Sequence, residues 1–192
     1  MLSVVIATQE SERALLPTLA ALVPGAAAGI VREVVIADAG SRDATAEVAE
    51  AAGCRLLISP GTRGARLKAA SVIARAPWLL FLEPGMVLDA TWIGETRRFM
   101  EEAELQGGAA SRAAVFRPGV GTSRPIFVEA LILMRSALGA RPSARQGLLI
   151  AKPLYDAVGG HRPDADKPER DLVRRLGRRR IVMLRSGALM AR

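Results

Sequence analysis

One stretch, residues 34–45, constrains the fold of this chain more than any other. An apolar run there ends in Asp38, and a small residue, a glycine and a serine then lead into the start of a helix. This order predicts a buried strand that delivers a carboxylate to its carboxyl end, which is where open α/β sheets bind their ligands. A second apolar run, residues 78–82, ends in Glu83 in the same way.

The first half of the chain alternates between strand and helix patterns. The strands are predicted over residues 2–7, 33–37, 54–58 and 78–82. The intervening helices are predicted from Ser11 to residue 22, over 44–52 and over 63–75. One face of the first helix is predicted to carry Leu15, Leu16, Leu19 and Leu22, and Pro24 with Gly25 is predicted to end it. Strand–helix–strand units form right-handed crossovers, so we predict an α/β fold with a mostly parallel, doubly wound sheet and flanking helices.

The second half is less regular and shows no linker. Helices are predicted over residues 89–105, 125–138 and 171–176, a loop over 118–123, and strands over 110–116, 147–151 and 181–184. A chain of 192 residues that is 50% hydrophobic can bury one full core. We therefore predict a single domain over residues 1–192.

The charge of the chain restricts its partners. The formal net charge is +8, and an arginine-rich surface attracts nucleotides, acidic substrates, phospholipid surfaces or nucleic acid. A solvated basic surface is the alternative. Aromatic residues make up 4% of the chain, and no recognition motif is present, which argues against a specific nucleic-acid partner.

The cysteine and histidine content excludes several kinds of site. The chain has one cysteine, Cys54, and one histidine, His161, so an intramolecular disulfide and metal sites built from several such residues are excluded. Cys54 begins the third predicted strand and is expected to lie in the core.

The N-terminal residues fit a first strand better than a signal peptide. No apolar run approaches the ~20 residues that cross a bilayer, and we expect a cytoplasmic protein. Peripheral contact with the anionic inner face of the membrane stays open, because arginines crowd residues 174–180 and flank the apolar segment 124–135. The alternatives are an outward, solvated arginine face and a helix buried in the core or in a dimer, so an oligomer is also left open.

Several short motifs occur in a recognisable order. They are residues 3–8, Asp38 to Ser41 with Asp43 and Thr45, residues 63–70, residues 80–85, Gln146 with Gly147, Gly159 with Gly160, and residues 169–172. Together they resemble family 2 glycosyltransferases of the GT-A fold over nearly the whole chain. The run from residue 135 to 147 is most similar to a subgroup of short, soluble bacterial members, some of them encoded beside radical-SAM proteins.

The resemblance implies transfer of a sugar from a nucleotide diphosphate donor to an unknown acceptor, with inversion. Residues 1–88 would form the nucleotide-binding half and residues 89–192 the acceptor-side half. The residues implied to bind the nucleotide are Thr8, Glu10, Asp38, Arg63 and Arg66. For Asp38 the alternative is a cap on the turn that follows it, and for the basic residues it is an exposed helix face. Arg63 and Arg66 are three apart and are expected to share one face of their helix.

The family's metal motif is incomplete in this chain. Glu83-Pro84-Gly85 falls on the Asp-x-Asp position, where the resemblance implies Mg²⁺ or Mn²⁺ against the diphosphate. Gly85 has no side chain where an acid is expected. The metal is then held weakly by Glu83, or arginines replace it, or catalysis is lost. Asp89 is either a substitute ligand or the cap of the next helix.

The resemblance also implies the acceptor-side residues. Glu169 matches the catalytic base, and Asp171 is an alternative base or a charge at a helix N-terminus. Gln146, Gly147, Gly160 and His161 belong to the same half, and His161 is either part of an acceptor pocket or an ordinary loop residue. Two other functions compete with the enzyme. They are a non-catalytic nucleotide or nucleotide-sugar binding protein of this fold, and a basic protein that binds nucleic acid or membrane surfaces.

Overall fold

The computed structural model describes residues 1–105, 111–119 and 146–191. The strands in these ranges are β1 (Leu2–Thr8), β2 (Val31–Asp38), β3 (Arg55–Ile58), β4 (Trp78–Leu82), β5 (Met86–Leu88), β6 (Ala113–Pro118), β7 (Leu148–Ala151) and β8 (Ile181–Met190). The helices are α1 (Glu12–Ala27), α2 (Thr45–Ala51), α3 (Arg63–Ile73), α4 (Trp92–Leu105), α5 (Lys152–Ala157) and α6 (Pro168–Leu176), with a 3₁₀ turn at Arg178–Arg180. Within this part of the chain no helix is both long and apolar enough to span a bilayer.

The strands form one mixed sheet in the order β3-β2-β1-β4-β7-β6-β8-β5. The first four strands are parallel, as are β6 and β8, whereas β7 runs antiparallel to both β4 and β6 and β5 runs antiparallel to β8. The predicted mostly parallel α/β fold is confirmed. Because β1 to β4 are parallel, their carboxyl ends meet at one edge of the sheet, and Thr8 lies beside Asp38 there.

The sheet is covered on both faces. Strands β1 and β4 are buried along their whole length, as expected for a sheet packed between two helical layers. The buried residues form two apolar layers. The first layer includes Leu15, Trp78 and Trp92, and the second includes Leu67 and Tyr155. Cys54 is partly buried against the first layer, and burial raises the pKa of its thiol to about 11.

Helix α1 is longer than predicted. It continues through Pro17 and Pro24 to Ala27, and Leu16 is 53% exposed rather than part of the buried face. The predicted stop at Pro24 and Gly25 is wrong, since both residues lie inside the helix. Gly25 marks a close helix contact. A Cβ at Gly25 would lie 2.4 Å from the indole of Trp92, so the glycine lets α1 pack closely against α4.

The region after Glu83 also differs from the prediction. A short strand, β5, precedes α4, and the helix begins at Trp92 rather than Asp89. Strand β8 is longer than expected because it pairs with β6 along one part and with β5 along another. The predicted helix over residues 125–138 and the predicted loop beyond Gly119 lie outside the described residues.

Candidate functional site

The carboxylate of Asp38 is fully engaged within the protein. Its Oδ2 accepts from the hydroxyls of Thr8 and Ser41, each at 2.7 Å, and its Oδ1 accepts from the backbone N–H groups of Gly40 at 2.8 Å and Ser41 at 2.6 Å. Burial would raise the pKa of Asp38, but these hydrogen bonds outweigh it and hold the pKa below its ordinary value. Asp38 therefore caps the turn that follows it, as the alternative interpretation expected.

The loops after β1 and β2 are joined by further hydrogen bonds. Glu10, which has a positive φ of 48°, donates its backbone N–H to the Ser41 hydroxyl at 2.8 Å, and its carboxylate accepts the backbone N–H of Arg42 at 2.8 Å. Asp43 accepts the backbone N–H of Glu12 at 3.0 Å. Thr8 therefore hydrogen-bonds Asp38 directly, and Glu10 bonds the loop that follows Asp38. The role of these three residues toward a nucleotide stays a prediction.

A pocket opens at the carboxyl end of β4, and its lining does not include Thr8, Glu10 or Asp38. The space among its lining residues, about 310 Å³, includes open solvent. Four polar side chains from four separate segments of the chain meet there, and the apolar remainder comes mainly from the sheet and from α3 and α6. The lining residues are Arg63, Leu67, Phe81, Leu82, Glu83, Leu148, His161, Glu169 and Val173. The structure therefore brings together predicted residues from the nucleotide, metal and acceptor sets.

Arg63 and Glu169 form an ion pair across this pocket. The Arg63 Nε donates to Oε1 of Glu169, and its Nη1 donates to the carbonyl of Ala7 at 3.2 Å. Their side chains are 33% and 16% exposed. The start of α3 packs closely here, because a Cβ at Gly64 would lie 2.1 Å from the carbonyl oxygen of Arg162, in the loop before α6, and 3.2 Å from Pro168 at the start of α6.

Arg66 does not line the pocket, although Arg63 does. It is 5% exposed, its Nη1 donates to the carbonyl of Gly61 at 2.7 Å, and its Nε has no hydrogen-bond partner among the described residues. Burial lowers the pKa of Arg66, the charge of Arg63 lowers it further, and Asp38 acts in the opposite direction. The two arginines lie three residues apart on α3 but have different surroundings: Arg63 lines the pocket and Arg66 is buried away from it.

Gly85 has a conformation that an acid would not adopt without strain. Its φ is +89°, its N–H donates to the carbonyl of Ala14 at 2.7 Å and to the hydroxyl of Thr18 at 2.9 Å, and its carbonyl accepts from Ala191 at 2.7 Å. A Cβ there would lie 3.2 Å from Met190. The backbone turns away from the pocket directly after Glu83, which lines it.

The described residues do not fit the family's metal site. Across residues 1–105, 111–119 and 146–191 no group of three His, Cys, Asp or Glu side chains could hold an ion. Asp89 does not supply the second acid, because its carboxylate accepts N–H groups from Thr91 at 2.9 Å and from Gly187. These bonds place it at the turn into α4, where it acts as a cap.

Asp171 lies outside the pocket lining. It accepts from Arg175 at 2.8 Å and from Arg174 at 3.3 Å, and Arg162 is 3.9 Å away. Burial would raise the pKa of Asp171, but these arginines lower it below its ordinary value. Of the two predicted bases, Glu169 lines the pocket and Asp171 holds arginines at its own helix.

Arg175 corrects the expectation of an outward arginine face. It is 15% exposed and donates to the carbonyl of Gly160 at 2.6 Å and to that of Val158. The guanidinium therefore ties α6 to the turn before His161. Arg174 and the three arginines of the 3₁₀ turn are exposed, as predicted.

The predicted acceptor-side residues are buried around the pocket. Gln146 is 5% exposed, and Gly147 has a φ of +71° with Leu82 3.0 Å from its virtual Cβ. His161 is fully buried beside Tyr155, so it is not an ordinary loop residue. Sequence reasoning missed Tyr155 and Phe81, because an aromatic residue in an apolar run gives no sign that it will pack against a site.

Comparisons with known proteins agree with the fold. Residues 3–174 match the model of glycosyl transferase family 2. TarS from S. aureus in complex with UDP-GlcNAc is 15% identical with a TM-score of 0.70, over 100% of this chain and 58% of that chain. Glucosyl-3-phosphoglycerate synthase from M. tuberculosis in complex with Mn²⁺, UDP-Glc and phosphoglyceric acid is 18% identical with a TM-score of 0.65, over 95% and 68%. At these identities the likeness concerns the fold.

This chain spans only part of such proteins, covering 60% of another TarS structure. No curated protein sequence matches it.

Proposed function

This chain belongs to glycosyl transferase family 2, and we propose that it transfers a sugar from a nucleoside diphosphate sugar to an acceptor hydroxyl group with inversion. The observation that carries the proposal is the pocket at the carboxyl end of β4, in which Arg63, Glu83 and Glu169 converge. Ligands of open α/β sheets bind at this edge. The short bacterial subgroup that the sequence resembles is the finer assignment we propose.

Glu169 is the proposed catalytic base. It would accept the proton of the acceptor hydroxyl as the acceptor oxygen bonds to the anomeric carbon of the sugar. The bond between that carbon and the diphosphate oxygen breaks at the same time, and the nucleoside diphosphate leaves with the electron pair. One such displacement inverts the anomeric configuration.

Arg63 is the proposed partner of the diphosphate. Its guanidinium is one-third exposed and pairs with Glu169, and a planar guanidinium also suits phosphate oxygens. Binding of the diphosphate would draw Arg63 toward the phosphates and release Glu169 toward the acceptor. Since the described residues lack the family's acid pair, no step of this scheme passes through a metal ion.

The donor base is proposed to be uracil. The support is that TarS and glucosyl-3-phosphoglycerate synthase, which share the fold, have been solved with UDP-GlcNAc and UDP-Glc. UDP-glucose and UDP-GlcNAc are therefore the first donors to test.

Donor turnover in matched variants tests the proposal. Release of UDP from these donors is measured for the native protein, Glu169→Gln and the control Arg174→Ala, which alters an exposed side chain of the same helix. We expect Glu169→Gln to lower turnover by about 100-fold or more, whereas Arg174→Ala leaves it unchanged. Unchanged turnover in Glu169→Gln would remove Glu169 from the mechanism.

Gly85 favours one second candidate, a nucleotide-sugar binding protein without catalysis. Gly85 has no side chain, so the family's second acid is missing at this position, whereas Glu83 lines the pocket. This candidate predicts that UDP or UDP-glucose raises the Tm while no donor is turned over. Turnover by the native protein would exclude it.

A further inference from the structure

The turn between α5 and α6 folds His161 back against Tyr155. Gly159 and Gly160 have positive φ angles of 82° and 62°, and a Cβ on Gly160 would lie 2.7 Å from the Tyr155 ring, so the turn requires glycine. The backbone N–H of His161 donates to the Tyr155 hydroxyl at 3.0 Å, and Nδ1 of His161 lies 3.0 Å from the same oxygen. The imidazole is therefore held in place through its Nδ1 side.

Phe81 packs against both of these rings. Its ring stacks on Tyr155 with centroids 5.3 Å apart and meets the His161 imidazole edge-on at 4.7 Å. Phe81 and His161 both line the pocket that contains Glu169. The imidazole is thus fixed by its neighbours at the wall of the proposed active site.

The other ring nitrogen of His161, Nε2, lacks a partner in the part of the chain that the structure describes. His161 is 0% exposed, and its Nε2 makes no hydrogen bond to any described residue. Buried polar atoms in native proteins almost always have a partner, so an orphan at a pocket wall points to a bound molecule. Since Nδ1 is engaged with Tyr155, Nε2 is the polar atom that His161 can offer to a ligand.

The imidazole that faces this ligand is uncharged. Burial lowers the pKa of His161 from 6.5 to about 3, Arg63 and Arg175 act in the same direction, and Asp171 opposes them. A neutral imidazole has one donor and one acceptor nitrogen, and the hydroxyl of Tyr155 can pair with Nδ1 in either tautomer. A ligand hydroxyl group, which both donates and accepts, matches Nε2 in both cases.

The pocket carries charged side chains of both signs. Its charged side chains among the described residues are one guanidinium, Arg63, and two carboxylates, Glu83 and Glu169. Arg63 already has an anionic partner in Glu169.

We propose that His161 is a positioning residue that binds a hydroxyl group of a sugar through Nε2, next to Glu169. This inference rests on the proposed function and names the class of group that fills the pocket. The hydroxyl belongs to the sugar of the donor or to a sugar acceptor, and the chemistry of recognition is the same for both.

NMR of the imidazole tests the inference directly, because His161 is the sole histidine of the 192 residues and its signals need no assignment. In ¹⁵N-labelled protein we expect no titration of the ring between about pH 5 and pH 8. UDP-glucose, or glucose added to the UDP complex, should shift Nε2, whereas UDP alone and inorganic phosphate should not. Titration near the ordinary pKa of a histidine, or an Nε2 signal that no sugar moves, would overturn the proposal.

Binding by variants separates this role from a structural one. His161→Phe keeps a ring against Phe81 and removes Nε2, and we expect it to weaken UDP-glucose, or glucose in the presence of UDP, by about 10-fold while UDP binds as before. His161→Gln should restore part of the loss. A hydroxyl contact would be contradicted if His161→Phe weakened the binding of UDP and of UDP-glucose equally. It would also be contradicted if the variant changed the binding of neither UDP-glucose nor glucose.

The two proposals fail in different ways. If UDP raises the Tm but no sugar moves Nε2, the inference about His161 fails and the proposed function stands. If no nucleotide raises the Tm while free glucose moves Nε2, the proposed donor chemistry fails and the sugar contact stands.

Discussion

At the scale of single residues, backbone conformation decides what a motif position can do. Gly85 occupies the place of a metal-binding acid, but its positive φ and its three backbone hydrogen bonds tie it to α1 and to the end of β8. The carboxylate of Asp38 likewise accepts backbone N–H groups of the turn after β2. The residue types at these positions were evident from the sequence, whereas their bonding partners were not.

Replacing Gly85 should destabilise the protein without creating a metal site. Gly85→Asp places a side chain at a φ of +89° in a buried position against Met190, and we expect a loss of about 2–4 kcal/mol in the free energy of unfolding. Urea denaturation with and without Mn²⁺ measures it. Gly94→Ala, where nothing lies within 4 Å of the added Cβ, serves as the control and should be neutral or slightly stabilising. Stabilisation of Gly85→Asp by Mn²⁺ would show that the position can reach an ion.

Asp38 should make stability depend on acid pH. Its pKa in the folded state lies below its ordinary value of 3.8, so its contribution to stability is present above that value and is lost as the pH falls through the folded pKa. Asp38→Asn should lower the free energy of unfolding at neutral pH and flatten its fall between about pH 5 and pH 2. Parallel pH curves for the two proteins would mean that other carboxylates, such as Asp89, carry the effect.

At the scale of elements, the site depends on how α6 is attached to the turn before it. Arg175 joins Asp171 of the helix to the carbonyls of Val158 and Gly160, and this arrangement orders the turn that presents His161. Helix α6 was predicted from its apolar spacing, although it begins three residues earlier than expected. The inward direction of Arg175 was missed, because a run of arginines gives no sign of which one meets buried carbonyls.

Loss of Arg175 should therefore matter more than loss of its neighbour. We expect Arg175→Ala to cost about 2–4 kcal/mol in the free energy of unfolding, since it removes the donor to two backbone carbonyls and the shortest contact of Asp171. Arg174→Ala removes an exposed contact and should cost about 0.5 kcal/mol or less. Thermal or urea unfolding compares the two, and equal effects would contradict a structural role specific to Arg175.

At the scale of the whole molecule, the parallel sheet gathers residues that are far apart in the chain. The first four strands could be predicted because their buried apolar runs and helix spacing are local signals, and β4 has the predicted bounds. Strand β5, the long β8 and the close approach of Gly25 to Trp92 could not, since each depends on contacts distant in sequence. The pocket itself follows from the meeting of strand ends with α3 and α6.

The net charge of +8 leads to a prediction about surfaces. If the exposed arginines 178–180 form a specific membrane contact, replacing all three by alanine should weaken binding to phosphatidylserine vesicles by about 100-fold, at roughly 1 kcal/mol for each arginine. Vesicle co-sedimentation compares this variant with one lacking Arg32, Arg75 and Arg112, exposed arginines elsewhere. Equal losses would indicate general electrostatic attraction without a defined patch.

Nucleotide binding in the absence of metal shows whether Arg63 meets the diphosphate charge in place of an acid-bound ion. The measurement is the Tm of the native protein and Arg63→Ala with UDP and UDP-glucose, each in chelator and in Mn²⁺. If Arg63 meets the diphosphate charge, the nucleotides will raise the Tm of the native protein equally in both conditions and will not raise that of Arg63→Ala. A Tm increase that requires Mn²⁺ and survives in Arg63→Ala would contradict it, as would no increase with either nucleotide.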